Sequence, residues 1–340
     1  MAIQAHIRQQ PELVSRAIAA ANAADGILPP EGQLVMVGSG SSYNALLAAA
    51  DTAGPELRPL LHVVGPAAYL RTGRGRTAGT AASVLVLSQS GASTTSVAAA
   101  EAAADRGVAA AVVTCEAGSP IAGLAVPKLV LSIGGEPIGP KTKGFTATLA
   151  AVLALVARRD GRLLPPFSPE ALAALIGAAD GAALDLAGSL ADLDHLVVAG
   201  SGRFLGIALE ASLKITEVAG LPAAGFETEE LLHGRLHGVG PHGLVTMIAA
   251  DRGEVEIAVA TAKAMADRDV RVRLLNLTST PTPHDWLRIA APPAPLDTLA
   301  AVVPFQWLAV HLARARGLTP ETMRYPGLSA ALAIKLAAPR

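Results

Sequence analysis

Short, unbroken runs of aliphatic residues recur along the chain, each ending at a glycine- or serine-rich turn and followed by an alanine-rich stretch. Leu34-Val-Met-Val37 runs into Gly38-Ser-Gly-Ser-Ser-Tyr-Asn44, and Val84-Leu-Val-Leu87 runs into Ser88-Gln-Ser-Gly-Ala-Ser93. A strand with one wet face alternates apolar and polar residues, whereas a continuous apolar run fits a strand covered on both faces. Strands of that kind belong to parallel sheets, whose neighbouring strands are joined by helical crossovers. The alanine-rich stretches supply good helix formers for those crossovers. The pattern therefore confines the chain to the α/β class.

The pattern occurs twice. In the first half, strands are expected at 33–38, 60–64, 83–88, 108–114 and 128–132, with helices near 42–53, 93–106, 119–124 and 142–158. A proline-rich break, Leu163-Leu-Pro-Pro-Phe-Ser-Pro169, precedes a helix near 169–189. The second half has expected strands near 194–200, 244–250, 271–276 and 286–290, and helices near 206–219, 254–268 and 296–316. Leu196-Val-Val-Ala199 leads into Gly200-Ser-Gly-Arg203, echoing Val35-Met-Val-Gly-Ser-Gly40 at an offset of 162 residues. The matched strand–turn–helix context points to tandem duplication of one α/β lobe. The expected division is a first domain at 1–160 with an N-terminal helix, a linker at 161–182, and a second domain at 183–340 with a C-terminal tail.

Composition narrows the functional classes. A formal charge of −1 and a pI near 6.7 give no footing for nucleic acid or an anionic membrane surface. The hydrophobic fraction is 51%, but much of it is alanine, and runs such as 147–157 fall short of the roughly 20 residues a membrane span needs. The N-terminus, Met1-Ala-Ile-Gln-Ala-His-Ile-Arg8, lacks the apolar core of a secretory signal. The single cysteine, Cys115, cannot form an internal disulfide and lies in a strand-like run. A cytoplasmic metabolic protein is the expectation.

The serine-rich turns are the first functional clue. A helix N-terminus offers unpaired N–H groups and partial positive charge, and serine hydroxyls add donors without bulk. A dinucleotide fingerprint does not fit: Tyr43 takes the place of its third glycine, and the second strand, ending near Val64-Gly65-Pro66, carries no acidic residue at its tip. No nucleotide-triphosphate loop of the G-x-x-x-x-G-K-[ST] type occurs. No cofactor is therefore expected. Either turn alone reads as an ordinary serine helix cap. Two of them at the carboxyl ends of strands in one sheet point to a shared phosphate, because open α/β sheets bind ligands at that edge.

Two further constellations stand in the second half. Glu210, Lys214 and Glu217 share one face of a mostly apolar helix. Spacing leaves two readings equal: a solvated ion-pair stripe, or buried charges that need partners and can move protons. Glu229-Glu-Leu-Leu-His-Gly-Arg-Leu-His237, followed by His242, sets His233 and His237 four residues apart. Gly234 interrupts the helix between them and there is no H-E-x-x-H, so an acid/base histidine is favoured and no metal site is expected.

Taken together these segments resemble the sugar isomerase (SIS) family, and most closely the isomerase half of glucosamine-6-phosphate synthase and its stand-alone relatives. The resemblance rests on Gly38–Asn44, Leu87-Ser-Gln-Ser-Gly91, Gly135-Glu-Pro-Ile-Gly-Pro-Lys-Thr-Lys-Gly-Phe-Thr146, Ile207-Ala-Leu-Glu-Ala-Ser-Leu-Lys-Ile-Thr-Glu217 and Glu230-Leu-Leu-His-Gly234. It implies two flavodoxin-like lobes, each a parallel five-stranded sheet flanked by helices, in a homodimer with a shared active site. The implied ligand is an open-chain hexose or hexosamine 6-phosphate. By position, Ser41, Ser42, Ser88, Gln89, Ser90 and Ser93 would hold the phosphate and nearby hydroxyls, with Gly139 and Lys141 also at the substrate. Glu217 would move a proton between C1 and C2, His233 would open the ring and come from the neighbouring subunit, and Lys214 would position the reacting end.

The chain also departs from the family pattern. The synthase's glutaminase half, with its N-terminal cysteine nucleophile, has no counterpart in Met1-Ala2, so isomerisation, or deamination with release of ammonia, is expected without glutaminase activity. The usual tail lysine, which can form a Schiff base with the ketose, is absent from Glu321-Thr-Met-Arg-Tyr-Pro-Gly-Leu-Ser-Ala330. Either Lys335 replaces it after a local shift or the protein works without that imine. Lys141 stands where the family has a small polar residue, which points to a substrate with an additional acidic group. An enzyme acting on glucosamine 6-phosphate is the leading expectation. A regulatory sugar-phosphate-binding protein is the alternative, favoured by the missing tail lysine and opposed by Lys214, Glu217 and His233.

Overall fold

The computed structural model describes residues 2–29, 31–72, 82–190 and 192–336. Its elements follow in chain order: α1 (Ala2–Ala23), β1 (Gln33–Val37), α2 (Ser41–Ala50), β2 (Leu61–Val64), α3 (Pro66–Thr72), β3 (Ala82–Leu87), α4 (Thr94–Asp105), β4 (Ala109–Thr114), β5 (Lys128–Val130), α5 (Lys143–Arg159) and α6 (Pro169–Gly188). The second series is β6 (His195–Ala199), α7 (Arg203–Ala219), β7 (Ala223–Phe226), α8 (Thr228–Leu232), β8 (Gly243–Ala249), α9 (Arg252–Ala266), β9 (Arg271–Asn276), β10 (Asp285–Arg288), α10 (Asp297–Ala315) and α11 (Leu328–Ala331). The chain divides into two compact lobes. The first comprises Glu12–Pro137, Lys143–Leu164 and Tyr325–Arg340; the second comprises Met1–Pro11, Ile138–Thr142 and Pro165–Arg324.

The first lobe carries a five-stranded sheet in the order β2-β1-β3-β4-β5, parallel throughout. Its inner strands β1, β3 and β4 are buried on both faces, as their unbroken aliphatic runs require. Val35, Val37, Val84, Val86 and Val112 pack on one side with Tyr69, Val97 and Ala100 of α3 and α4. Leu34, Met36, Leu85 and Val113 are equally buried between them along the strands. Helix α5 is buried from Lys143 to Ala157 and lies against α2.

The second lobe repeats the arrangement, in the order β10-β9-β8-β6-β7, again parallel. Read from β7, the sheet has the same strand order as the first lobe, so the duplication expected from the Gly-Ser-Gly echo extends to whole topology. Its local geometry matches as well. Gly40 starts α2 at φ 55°, ψ −131°, and Gly202 starts α7 at φ 55°, ψ −125°. A Cβ on Gly38 would meet Leu46 and the Ser42–Tyr43 backbone at 3.0 Å, and one on Gly200 would meet Phe204 at 2.8 Å. Both turns use glycine where helix and strand approach too closely for a side chain.

Three expectations change. The strand β7, Ala223-Ala-Gly-Phe226, is absent from the expected set because it lacks the β-branched run that marks its neighbours. The expected helix at 119–124 is only a 3₁₀ turn, Ile121–Gly123. Helix α6 is long and apolar enough by composition to cross a membrane, unlike the shorter runs singled out from sequence. It packs against α10, and its Asp180 accepts a hydrogen bond from Arg8 (2.9 Å) and pairs with His311 (2.7 Å).

Candidate phosphate cradle and proton-transfer residues

In the first lobe the chain leaves β1 toward one edge of the sheet and leaves β3 toward the other, so the β1/β3 crevice is the topological switch point at which such sheets bind ligands. Both serine turns lie there. Gly40 caps α2 without any side-chain bond, and Ser41 and Ser42 form the first turn of that helix. The Gln89 N–H donates to Ser42 Oγ at 3.5 Å, joining the two turns. Ser88 N–H donates to Val113 O (3.0 Å), which extends the sheet pairing into the second turn. Gly91 then reverses the chain at φ 61°, and Ser90 Oγ accepts from Ala92 N–H (3.4 Å). Ser93 precedes α4, but its hydroxyl meets Ser96 Oγ (3.1 Å) and caps no N–H. Two helix N-termini thus open onto one crevice without side-chain caps, lined by hydroxyls. That arrangement suits an anion. The structure brings Ser41, Ser42, Ser88, Gln89, Ser90 and Ser93 to this crevice.

Two features of this lobe were not read from sequence. Glu136, 4% exposed, accepts from the N–H groups of Lys143 (3.2 Å) and Gly144 (3.0 Å) at the start of α5, and from Gln89 Nε2 (3.3 Å). The C-terminal tail pairs with the second turn: Thr94 N–H donates to Ile334 O (3.1 Å), Leu336 N–H to Ala92 O (2.8 Å) and Thr94 Oγ1 to Ala333 O (3.0 Å). Ser93 and Lys335 face each other in an antiparallel bridge. The backbone of the tail's lysine therefore lies alongside the turn that carries the candidate phosphate ligands.

In the second lobe, α7 settles the alternatives left open by spacing. Lys214 and Glu210 are 1% and 0% exposed, and Lys214 Nζ lies 3.5 Å from Glu210 Oε1 and bonds to Glu217 Oε2. The stripe is a buried charge cluster. Burial pulls the Lys214 ammonium down, but Glu210 and Glu217 more than offset this and leave its pKa above the usual lysine value. Glu217 alone retains side-chain exposure, 21%, so it is the member that a ligand can reach. Glu210, left out of the expected site, is the residue that neutralises Lys214 from inside.

His233 ends α8, exposed, with Nε2 3.2 Å from Glu229 Oε2. It is paired with Glu229 and not with Lys214 or Glu217. Gly139 and Lys141 lie on Ile138–Thr142, where Gly139 leaves no room for a Cβ beside Met323. Among the described residues no group of three or more His, Cys, Asp or Glu side chains is placed to hold a metal ion.

The second lobe's own switch point differs in chemistry. Asp251 caps α9 by accepting from Glu254 N–H (2.9 Å), while Glu254 reaches back to Ala250 N–H (2.6 Å). This reciprocal cap closes α9 with its own side chains, whereas α4 has no side-chain cap. Arg203, opening α7, donates to Asp297 (3.0 Å). The lobes thus differ at the helix that follows the third strand: α9 carries a side-chain cap and α4 does not.

Residues 27–158, most of them in the first lobe, match the SIS domain. The isomerizing glutamine–fructose-6-phosphate aminotransferase of Vibrio vulnificus is 35% identical over 166 residues, which cover 45% of this chain and 27% of that protein. The C-terminal domain of glucosamine-fructose-6-phosphate aminotransferase from Francisella tularensis superposes with a TM-score of 0.81 at 20% identity, covering 95% of this chain and 98% of that one. A glucosamine-6-phosphate deaminase from Thermotoga maritima gives 0.76 at 21% identity, over 96% and 98%. The last two share the fold across both lobes, and the sequence match identifies residues 27–158 of this chain as a SIS domain.

Proposed function

We propose that this protein is a phosphosugar isomerase of the deaminating kind, acting on a hexosamine 6-phosphate. Glucosamine 6-phosphate and water would give fructose 6-phosphate and ammonia. The observation that carries this reading is the pair of uncapped helix N-termini at the β1/β3 crevice, lined by Ser41, Ser42, Ser88, Ser90 and Ser93. A phosphate there anchors the sugar and supplies binding energy that can orient its reacting end.

His233, presented by a second copy of the chain, opens the ring. Glu217, with Lys214 bound to its carboxylate, takes the proton from C2 of the open-chain amino aldehyde. The enolamine that results accepts the proton at C1, leaving an iminium at C2. Water adds there and ammonia departs, leaving the ketose. Proton transfer next to a carbonyl needs a carboxylate held within hydrogen-bond reach, and a ligand for it carries both the phosphate and the acidic C–H.

The test is ammonia release from glucosamine 6-phosphate with fructose 6-phosphate measured in parallel. The expected result is stoichiometric ammonia and ketose, with kcat reduced about 100-fold or more in Glu217→Gln while fructose 6-phosphate still binds. No ammonia from the unaltered protein, or undiminished turnover by the variant, overturns the assignment.

A further inference from the structure

Gln89 stands in the middle of the second serine turn, and chemistry fixes which end of its side-chain amide faces inward. Its Nε2 meets Glu136 Oε2 at 3.3 Å. Both oxygens of Glu136 already accept backbone N–H groups, Oε1 from Lys143 and Oε2 from Gly144. An ionised carboxylate has acceptors only, so the amide must turn its NH₂ toward it. The reversed orientation would set the amide oxygen against a carboxylate oxygen. Gly144 makes room for this: a Cβ there would overlap the Gln89 amide. Among the described residues nothing donates to Gln89 Oε1.

We infer that Glu136 is a positioning residue that locks Gln89 with its carbonyl oxygen as the group left for a ligand, so that the pair selects phosphate esters bearing a hydroxyl or ammonium beside the phosphate over inorganic phosphate. The inference rests on the β1/β3 crevice being a phosphate site. It narrows the role of the Gln89 side chain, expected among the residues that hold the phosphate and nearby hydroxyls, to the hydroxyl alone. The three unprotonated oxygens of a phosphate dianion offer only lone pairs and gain nothing from a carbonyl oxygen, whereas a sugar hydroxyl donates to it. The anion is left to the serine hydroxyls and helix N–H groups. The carboxylate that enforces this costs little in repulsion, because the start of α5 provides two N–H groups to it.

The experiment is calorimetric titration of the full chain with glucosamine 6-phosphate and with inorganic phosphate, in the unaltered protein, Glu136→Ala, Glu136→Gln and Gln89→Met. Removing the carboxylate in Glu136→Ala frees the amide to turn its NH₂ to phosphate, and the preference for the sugar phosphate falls about tenfold. Glu136→Gln keeps a carbonyl oxygen where Gly144 N–H and Gln89 Nε2 converge, and retains the preference. Gln89→Met leaves the α5 cap intact and lowers the preference by weakening the sugar phosphate alone. Side-chain ¹⁵N resonances give a readout without ligand: the Gln89 NH₂ pair is protected from exchange in the unaltered protein and exchanges freely in Glu136→Ala. A structural role alone would weaken both ligands in equal proportion, and that result overturns the inference. So does an unprotected Gln89 NH₂ pair in the unaltered protein. If neither ligand binds while the NH₂ pair is protected by Glu136, the phosphate reading falls and the selectivity with it, but the lock stands.

Discussion

Lys214 shows how one residue couples the fold of the second lobe to its chemistry. Its ammonium is enclosed by its own helix, between Glu210 one turn before and Glu217 one turn after. Leaving either charge without the other is costly, since a buried ion loses water and regains it only as Coulomb energy. Lys214→Met should therefore destabilise the protein by about 3 kcal/mol, read as a fall in the urea midpoint. Glu210→Gln combined with Lys214→Met should recover most of that loss, because it removes the orphaned carboxylate as well. The pH dependence has a definite sign. The folded pKa of Lys214 is raised, so its contribution is complete below the unfolded lysine pKa of about 10.4 and is lost as pH rises through the higher folded value. Stability measured from pH 8 to 12 should show this alkaline loss in the unaltered protein, and Lys214→Met should lack it. An unchanged urea midpoint in Lys214→Met would mean that the cluster is hydrated. The single polar stripe on an apolar helix was legible from spacing, but only packing decides that Lys214 and Glu210 are inside and Glu217 is at the edge.

At the scale of elements, the duplicated turns give a controlled comparison. Gly40 and Gly202 hold nearly the same backbone angles, in a region that L side chains rarely adopt. Alanine at either position should cost about 1–3 kcal/mol. The two should part in function: Gly40→Ala displaces the α2 N-terminus at the cradle and weakens phosphate binding, whereas Gly202→Ala leaves it unchanged. Equal loss of phosphate affinity in both, by calorimetry, would show that the second lobe's turn also binds the anion. The elements that carried long aliphatic runs were readable to within a residue or two. Expected strands 33–38, 83–88 and 108–114 became β1, β3 and β4. The strand β7 escaped because its residues are chosen by a neighbour: a Cβ on Gly225 would lie 2.7 Å from the Ala208 backbone, so α7 sets its composition. The same logic separates the readable part of the site from the rest. Serine turns are local signals, whereas the Gln89–Glu136 bond spans 47 positions and the tail pairing spans 239. Nothing in the sequence near Glu136 announces its partner.

For the whole molecule, the notable fact is the path of the chain's end. After Arg324 the chain leaves the second lobe, and residues 325–336 belong to the first. The short helix α11 ends, Ala333 turns the chain at φ 50°, and the strand-like residues that follow pair with 92–94. This tail is held by backbone hydrogen bonds rather than by a core, since Leu332, Ile334 and Leu336 remain exposed. Each such bond contributes about 0.5–1.5 kcal/mol net, too little to make the tail essential for folding. It nevertheless takes the first N–H of α4, at Thr94, and carries Lys335 alongside Ser93. A chain ending at Gly327 should therefore unfold cooperatively within about 3 kcal/mol of the full protein. It should bind inorganic phosphate at least as tightly, because the Thr94 N–H becomes available to the anion. Turnover of glucosamine 6-phosphate should be lost, and Lys335→Ala in the full chain should separate the amine from the segment. If Lys335→Ala matches the truncation, the lysine amine is what the tail contributes, and Lys335 replaces the family's tail lysine. If Lys335→Ala is fully active while the truncation is inactive, the segment covers the ligand and the protein works without that imine. Undiminished turnover in the truncated chain would remove the tail from the chemistry altogether.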